Sequence, residues 1–229
     1  MHIELWSDFA CPYCYIGEVR LRRVLRELGV EDKVSVELKS FELDPAASRS
    51  VQTTTPERFA RKYGLSLEAA QRQIEHISQL GRAEGLDFNY ASTNYSNMRD
   101  AHRLAKFGLA AGHAEIVDRL FAAYFTHNRD LADATVLVDI AASVGLSAQE
   151  TRDMLASNRY ADEVRQDEAE AARLGIHGVP YFLLDGQTAI SGAQPVAVLR
   201  ATLAGLLSSE EGRAAARAGH VCGPDGCRI

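Results

Sequence analysis

Apolar and polar residues alternate in two short stretches near the start of the chain, with a helical pattern between them. Ile3 and Leu5 alternate with polar neighbours, which is typical of a strand. A helix over about residues 11–28 is indicated by apolar positions at helical spacing and a glycine stop, namely Leu21, Val24, Leu25, Leu28 and Gly29. Alternation returns from Val34 and predicts a second strand that continues through residues 41–45. We expect the two strands of this βαβ unit to be parallel.

Residues 46–55 are rich in Ser and Thr and are typical of a linker. The pattern is helical from there to about residue 174, and β-type alternation is absent. Thr55 followed by Pro56 is typical of a helix start, with Thr55 as the capping residue. Other helix boundaries are indicated by Ser66, by Ser147 with Glu150 as a capping box, and by Gly145 and Gly175 as stops. A dense apolar stripe consists of Val117, Leu120, Phe121, Tyr124 and Phe125. We therefore predict an insertion of five or six helices.

Strand character returns after residue 175 in two short runs. Residues 179–184 and 188–191 are mostly apolar, and the turn dipeptide Asp185-Gly186 between them predicts a hairpin, which a helix beginning at Pro195 follows. The order βαβ, helices, ββα is that of an α/β protein with the thioredoxin fold and a large all-helical insertion. We assign residues 1–45 to the N-terminal half, 46–174 to the insertion domain, 175–208 to the C-terminal half and 209–229 to a C-terminal extension.

A pair of cysteines, Cys11 and Cys14, stands where the first strand passes into the first helix. Cysteines at positions i and i+3 of a first turn share one face and can form a disulfide. The helix N-terminus favours the thiolate, so we expect Cys11 to attack and Cys14 to resolve the mixed disulfide. Pro12 suits the first helical position, and Tyr13 adds no positive charge, which predicts a moderate oxidant.

Two other interpretations of this pair are less favoured. A zinc ribbon needs a second cysteine pair at suitable spacing, and neither Cys11 nor Cys14 stands in a glycine-rich knuckle. A structural disulfide between positions 11 and 14 would close a very short loop and add little stability. We therefore predict a redox site, with no bound metal or cofactor.

Composition and charge narrow the choice of partners. The chain has 229 residues, is 46% hydrophobic and carries a net charge of -6 without a basic block, so nucleic acid is not an expected partner. No apolar run approaches the roughly 20 residues of a membrane span, and no secretory signal pattern precedes the first strand. We expect a cytoplasmic protein that is a monomer or a homodimer. In the cytoplasm, a Cys-x-x-Cys pair is more often catalytic than structural.

The chain resembles the DsbA family of thiol-disulfide oxidoreductases, and within it the FrnE-type subgroup. The resemblance covers residues 1–208 and depends on residues 7–14, 41–45, 97–104 and 178–181. It implies that Pro180 is a cis proline facing the cysteines and that Val179 pairs with an extended substrate segment. Pairing of this kind is β-augmentation. Implied partners are protein or peptide thiols and disulfides, with glutathione as a possible co-substrate or a thioredoxin-type protein as reductant.

Five further residues are candidates near this site, each with two interpretations. Trp6 and Phe9 either line a substrate-binding surface or belong to the core. Asp8 either relays the Cys14 proton or, as we favour, caps the first turn. Asn97 stands either at the mouth of the insertion or, more in keeping with its type, at a helix N-cap. His102 is interpreted as a satisfied interior histidine rather than a proton-transfer group.

Three alternatives concern chemistry outside this main interpretation. A related branch, the glutathione-dependent 2-hydroxychromene-2-carboxylate isomerases, has serine where Cys11 stands, so the intact pair favours redox chemistry here. The tail cysteines Cys222 and Cys227 flank a turn-forming Gly-Pro-Asp-Gly sequence and either exchange with the first pair or are incidental. With His220 they could also hold a soft metal in a metal or redox sensor, although a closed site needs a fourth ligand.

Overall fold

A four-stranded sheet forms the base of the fold in the part of the chain that the structure describes. The structure is a computed structural model that describes residues 1–218, with side chains described to residue 209. The sheet order is β2-β1-β3-β4. The strands are β1 (His2–Ser7), β2 (Ser35–Ser40), β3 (Tyr181–Leu184) and β4 (Thr188–Ser191). β1 is parallel to β2 and antiparallel to β3, and the hairpin of β3 and β4 is antiparallel, as predicted.

β2 ends earlier than the sequence pattern predicts. Its last residue is Ser40, and the expected continuation through residues 41–45 is wrong. The backbone N–H of Glu42 donates to a side chain, Glu168 Oε1, and that of Leu43 donates to Asp8 Oδ2. Phe41 still donates to the Ser7 carbonyl of β1, and the chain leaves the sheet beyond it because side chains take the next two N–H groups.

Two helices pack with the sheet in one core. These are α1 (Pro12–Leu28), whose predicted range is confirmed, and α9 (Val196–Ala218), which continues without a break past residue 209. Their shared apolar contacts include Leu21, Val24, Leu199 and Leu203 with Ile3 and Phe182 of the sheet. Gly29 ends α1 at a φ of 64°, a left-handed conformation that glycine adopts without strain. The apolar contacts with the sheet therefore hold the helix that carries the cysteine pair in place.

The insertion contains seven α-helices, so the expected number of five or six is too low. They are α2 (Thr55–Tyr63), α3 (Leu67–Ala83), α4 (Arg99–Ala110), α5 (Ile116–Phe125), α6 (Ala134–Ser143), α7 (Ala148–Ala156) and α8 (Ala161–Arg173). Several of these helices are short, and only a few residues lie between them. The sequence pattern alone therefore does not show where one helix ends and the next begins. Among the helices of residues 1–218, none is long and apolar enough to cross a membrane.

The insertion has its own apolar core, into which α1 also projects. Tyr15 of α1 stacks on Phe121 of α5, with ring centroids 4.9 Å apart and planes 4° from parallel. Phe121, Tyr124 and Phe125 are completely buried, which confirms the predicted stripe. Since Tyr15 directly follows Cys14, this stack holds the first turn of α1 against the insertion.

The helix starts inside the insertion depend on side-chain caps. Ser66 and Ser147 accept from the backbone N–H three residues on, as predicted. α2 is capped by Thr54 in a capping box with Glu57, so the prediction of Thr55 as the cap is off by one residue. Thr55 is instead buried, and its hydroxyl hydrogen-bonds Thr93.

Candidate active site

Cys11 and Cys14 lie at the N-terminus of α1 as free thiols. Cys11 is the N-cap, Pro12 is the first helical residue, and the Cys14 N–H donates to the Cys11 carbonyl over 3.1 Å. No side chain caps this helix. The positive end of the helix dipole therefore remains available to stabilise negative charge on sulfur.

The two thiols differ in access and in acidity. Cys11 is 4% exposed and lines a cleft, whereas Cys14 is completely buried. Burial raises the pKa of the Cys14 thiol well above its ordinary value, and the neighbouring Cys11 sulfur raises it further. The geometry thus gives Cys11 access to a partner and keeps Cys14 protonated until the mixed disulfide has formed.

The loop before β3 lies against Cys11. The Val179–Pro180 peptide bond is cis, as the resemblance implied. The Cys11 thiol donates to the Val179 carbonyl oxygen at 3.5 Å. α1 approaches this loop so closely that a Cβ placed on Gly17 would lie 3.0 Å from Pro180 Cγ. Glycine at position 17 therefore permits the contact between α1 and Pro180.

The cleft beside Cys11 has a volume of about 450 Å³ and lies between the thioredoxin-type half and the insertion. Tyr13, which is 40% exposed, and Val179 line one side. α2 supplies Arg58 and Lys62 to the other side. Tyr90 and Tyr95 also line it, and burial raises the pKa of both hydroxyls, that of Tyr95 to about 12. Both tyrosines therefore remain hydrogen-bond donors at neutral pH.

A buried polar group lies behind the cysteines. The Asp8 N–H donates to Cys14 Sγ at 3.5 Å, and the Asp8 carboxylate accepts from the backbone N–H groups of Ala10 and Leu43. The expected role of Asp8 as a cap of the first turn is therefore wrong, because both of these donors lie outside α1. The carboxylate instead fixes the loop that carries the cysteines.

His102 reaches this group from α4. It is 1% exposed, neither ring nitrogen has a hydrogen-bond partner, and Nε2 lies 3.6 Å from Asp8 Oδ1. The expectation of a satisfied interior histidine is wrong for this reason. Glu42 lies in the same charged environment with a buried Oε2 that lacks a partner, and burial raises its pKa to about 7.

The remaining predicted residues lie outside the cleft. Trp6 is completely buried and donates from Nε1 to the Asp167 carbonyl, and Phe9 is buried against Phe121 and His102. Both belong to the core, so neither forms a substrate-binding surface. Asn97 accepts from the Arg99 N–H at the first residue of α4, but the N-cap is Met98, so the prediction of Asn97 as the N-cap is off by one residue. Cys222 and Cys227, with His220, lie outside the described residues.

Sequence reasoning did not identify Arg58, Lys62, Tyr90 or Tyr95. Arg58 and Lys62 are four residues apart on a predicted helix, which places them on one face, but the pattern does not show what that face meets. Among the described residues, one group could hold a metal ion: His2, Glu4 and Glu37 at the far end of β1 and β2. The ammonium of Lys39 pairs with both of these carboxylates.

The sheet order, the cysteine pair between β1 and α1, and the contact of Cys11 with Val179 before β3 define a thioredoxin-fold protein with a dithiol site. Residues 2–204 match the family model of the DSBA-like thioredoxin domain, and the chain belongs to that family of thiol-disulfide oxidoreductases. The resemblance to the DsbA family is thus confirmed. The FrnE-type subgroup remains a prediction.

Two solved structures and one curated relative are similar to this chain. A probable DsbA oxidoreductase from Streptomyces coelicolor is 36% identical, with a TM-score of 0.86 over 100% of this chain and 99% of that one. The uncharacterized protein YwbO of Bacillus subtilis is 26% identical over 198 residues, 84% of this chain and 90% of that protein. The cytosolic disulfide reductase DsbM from Pseudomonas aeruginosa, solved with GSH, shares the fold at 18% identity and a TM-score of 0.63, over 91% of this chain and 100% of that one.

Proposed function

We propose that this protein is an enzyme of thiol-disulfide exchange in which Cys11 is the nucleophile and Cys14 the resolving thiol. The observation that carries the proposal is the contrast between the two sulfurs: Cys11 lines the cleft and Cys14 is buried beside it. Val179 and the cis Pro180 lie next to Cys11 and are proposed as the substrate-binding edge, together with Pro12 and Tyr13.

In the reducing direction, the Cys11 thiolate attacks one sulfur of a substrate disulfide. A bond forms between Cys11 and that sulfur, and the other substrate sulfur leaves as a thiolate that takes up a proton. Cys14 then loses its proton and attacks Cys11 Sγ, which releases the second substrate thiolate. Two electrons pass to the substrate, and the protein ends with a Cys11–Cys14 disulfide. The oxidising direction is the reverse of these steps, and the reduction potential decides between them.

The proposed substrates are cysteine-bearing peptides or proteins that extend along Val179. A backbone edge at this position can pair with an extended segment. A small thiol is the second candidate, because the cleft of about 450 Å³ is large enough for a tripeptide and the DsbM structure was solved with GSH. The intact Cys11–Cys14 pair favours exchange over glutathione-dependent isomerisation. A cytoplasmic location and a thioredoxin-type recycling partner remain predictions.

The test is a trapping experiment with Cys14→Ser in the full chain, incubated with lysate of its own cells. Loss of the resolving thiol should leave substrates disulfide-linked to Cys11, and mass spectrometry identifies both the partner and the linked cysteine. The matched control is Cys11→Ser, which should capture nothing at Cys14 because that sulfur is buried. Capture only through Cys222 or Cys227, or equal capture by both variants, would contradict the proposal. Glutathione alone at Cys11 would favour the small-thiol candidate.

A further inference from the structure

We propose that Arg58 and Lys62 form a carboxylate-binding subsite in the cleft beside Cys11, and that the exchange partner carries an acidic group next to its reactive sulfur. This inference rests on the exchange chemistry proposed above and names the substrate class of the same cleft. It concerns selectivity rather than the reaction itself.

The first argument is that both cations lack an acidic partner. Within the described residues, neither Arg58 nor Lys62 has a carboxylate within ion-pair distance, whereas Arg20 pairs with Glu84 and Arg22 with Asp118. Arg58 Nε is buried without a hydrogen-bond partner. A buried donor of this kind costs free energy until an acceptor reaches it. Arg58 lines the cleft, so a carboxylate bound there supplies the counter-charge that the described residues do not.

The second argument concerns the orientation of the guanidinium. Arg58 Cζ lies 3.6 Å from the centroid of the Tyr95 ring, so the planar group is held by a cation–π contact. A stacked guanidinium keeps its edge for in-plane hydrogen bonds, which suits the two oxygens of a carboxylate. Asp44 lies near Tyr95 but does not line the cleft. Arg58 is thus oriented without being neutralised.

The third argument is the charge of the cleft as a whole. No aspartate or glutamate is among the described residues that line it, although the chain has a net charge of -6. Two like charges at positions i and i+4 of a helix repel each other and slightly destabilise it. A bound anion removes this repulsion. The phenol groups of Tyr90 and Tyr95 add neutral donors to the same wall.

The ligand must place its sulfur next to Cys11 while its anionic group contacts Arg58. A free phosphate has no sulfur to exchange, so the fitting chemistry is a carboxylate close to a cysteine. It comes either from an acidic residue flanking the cysteine of a peptide or from a small acidic thiol. Both sources share the same contact with Arg58, and different substrates separate them.

The experiment measures single-turnover rates of the full-length reduced protein with three short peptide disulfides that differ in one residue beside the cysteine, which is Glu, Gln or Lys. We expect the Glu peptide to react about fivefold faster than the Gln peptide, as a partly exposed charge pair allows, and the Lys peptide to react most slowly. Arg58→Glu should reverse this order, and Arg58→Lys should keep part of it. The matched control Arg61→Glu changes the same charge on an exposed position of α2 outside the cleft and should preserve the order.

Binding of S-methylated versions of the same peptides, measured by calorimetry, separates this inference from the exchange proposal. Exchange without a charge preference overturns the subsite and leaves the exchange function intact. A charge preference in binding without exchange supports the subsite and overturns the exchange function. Equal effects of Arg58→Glu and Arg61→Glu also overturn the subsite. A second comparison measures exchange with two small molecules, glutathione disulfide and the cationic disulfide cystamine. If the preference for the acidic substrate appears only in this comparison, the carboxylate belongs to a small thiol.

Discussion

Asp8 Oδ1 lies 3.6 Å from His102 Nε2 in a buried pair directly behind the resolving cysteine. The two residues differ in how their polar atoms are satisfied. The Asp8 carboxylate accepts two backbone hydrogen bonds, whereas both ring nitrogens of His102 are unpaired. We therefore expect a substitution of Asp8 to lower the stability much more than a substitution of His102.

Asp8→Ala should lower the free energy of unfolding of the reduced protein by about 2–4 kcal/mol. The substitution leaves the buried N–H groups of Ala10 and Leu43 without an acceptor, and each such loss costs about 1–3 kcal/mol. Urea unfolding followed by circular dichroism measures the change. Asp8→Asn, which keeps an acceptor oxygen, should lose less than Asp8→Ala; an equal loss would show that these hydrogen bonds contribute little.

His102→Leu should change the free energy of unfolding by no more than about 1 kcal/mol, because the histidine already leaves two buried nitrogens unpaired. The same urea titration gives the answer. An ionic His102–Asp8 pair behaves differently, since removing one partner of a buried ion pair costs about 3–5 kcal/mol. A loss of that size would therefore identify the pair as charged.

Alkylation should distinguish the two active-site thiols. We expect iodoacetamide to modify Cys11 in the folded protein at least about tenfold faster than Cys14, because Cys14 is completely buried and burial raises its pKa. Fragment-ion mass spectrometry assigns the modified position and separates it from the tail cysteines. Unfolding in urea should remove the difference, and equal rates in the folded protein would contradict the assignment of nucleophile and resolving thiol.

Gly17→Ala should impair exchange by moving the Pro180 loop. The added Cβ would lie 3.0 Å from Pro180 Cγ and 3.3 Å from Phe182 Cζ. We expect a loss of about 1–3 kcal/mol in stability and an exchange rate about threefold to tenfold lower. Gly205→Ala in α9 is the matched control, because its Cβ would meet no atom within 4 Å. It should gain up to about 1 kcal/mol from helix propensity at an unchanged rate.

Glu42→Gln should stabilise the protein more at pH 8 than at pH 5. Burial raises the pKa of Glu42 from 4.5 to about 7, and repulsion from Glu168 and Asp8 adds to the rise, partly opposed by Arg99. Between these values the folded state holds a proton that the unfolded state has lost, so the stability of the natural chain falls as pH rises.

Glu42→Gln removes this loss of stability. We expect the free energy of unfolding at pH 8 to rise by about 1–2 kcal/mol, which is less than the full pKa shift would give because the side chain is partly solvated. Unfolding at both pH values measures it. Glu163→Gln, at an exposed position of α8, is the control. A gain that is equal at pH 5 and pH 8 would contradict the raised pKa.

The sequence predicted those features that depend on neighbours along the chain. The start of α1 at the cysteine pair, its end at Gly29 and the β3–β4 hairpin all follow from local signals, and the structure confirms them. Thr54 rather than Thr55 caps α2 because two adjacent threonines offer the same local signal. The packing of Thr55 on Thr93 decided between them.

The site itself combines local and distant residues, which limits what the sequence can predict. The Cys11–Cys14 spacing is a local signal. No local signal shows which face α2 turns to Cys11, because that face depends on how the whole insertion packs. The burial of Trp6 and the unpaired nitrogens of His102 depend on the same packing. A residue type and its spacing indicate possible chemistry, but only tertiary contacts show which atoms remain unpaired.

The contact between Cys11 and Val179 also sets an order of events during synthesis. The two residues are 168 positions apart, and the whole insertion is made between them. At about 5–20 residues per second, the ribosome needs on the order of 10–30 s to cover that distance. During this interval β1 has β2 as a neighbour but not β3, and the cysteines lack the carbonyl that later contacts Cys11. On the ribosome, both thiols of the nascent chain are therefore present before the structure that governs their reactivity exists.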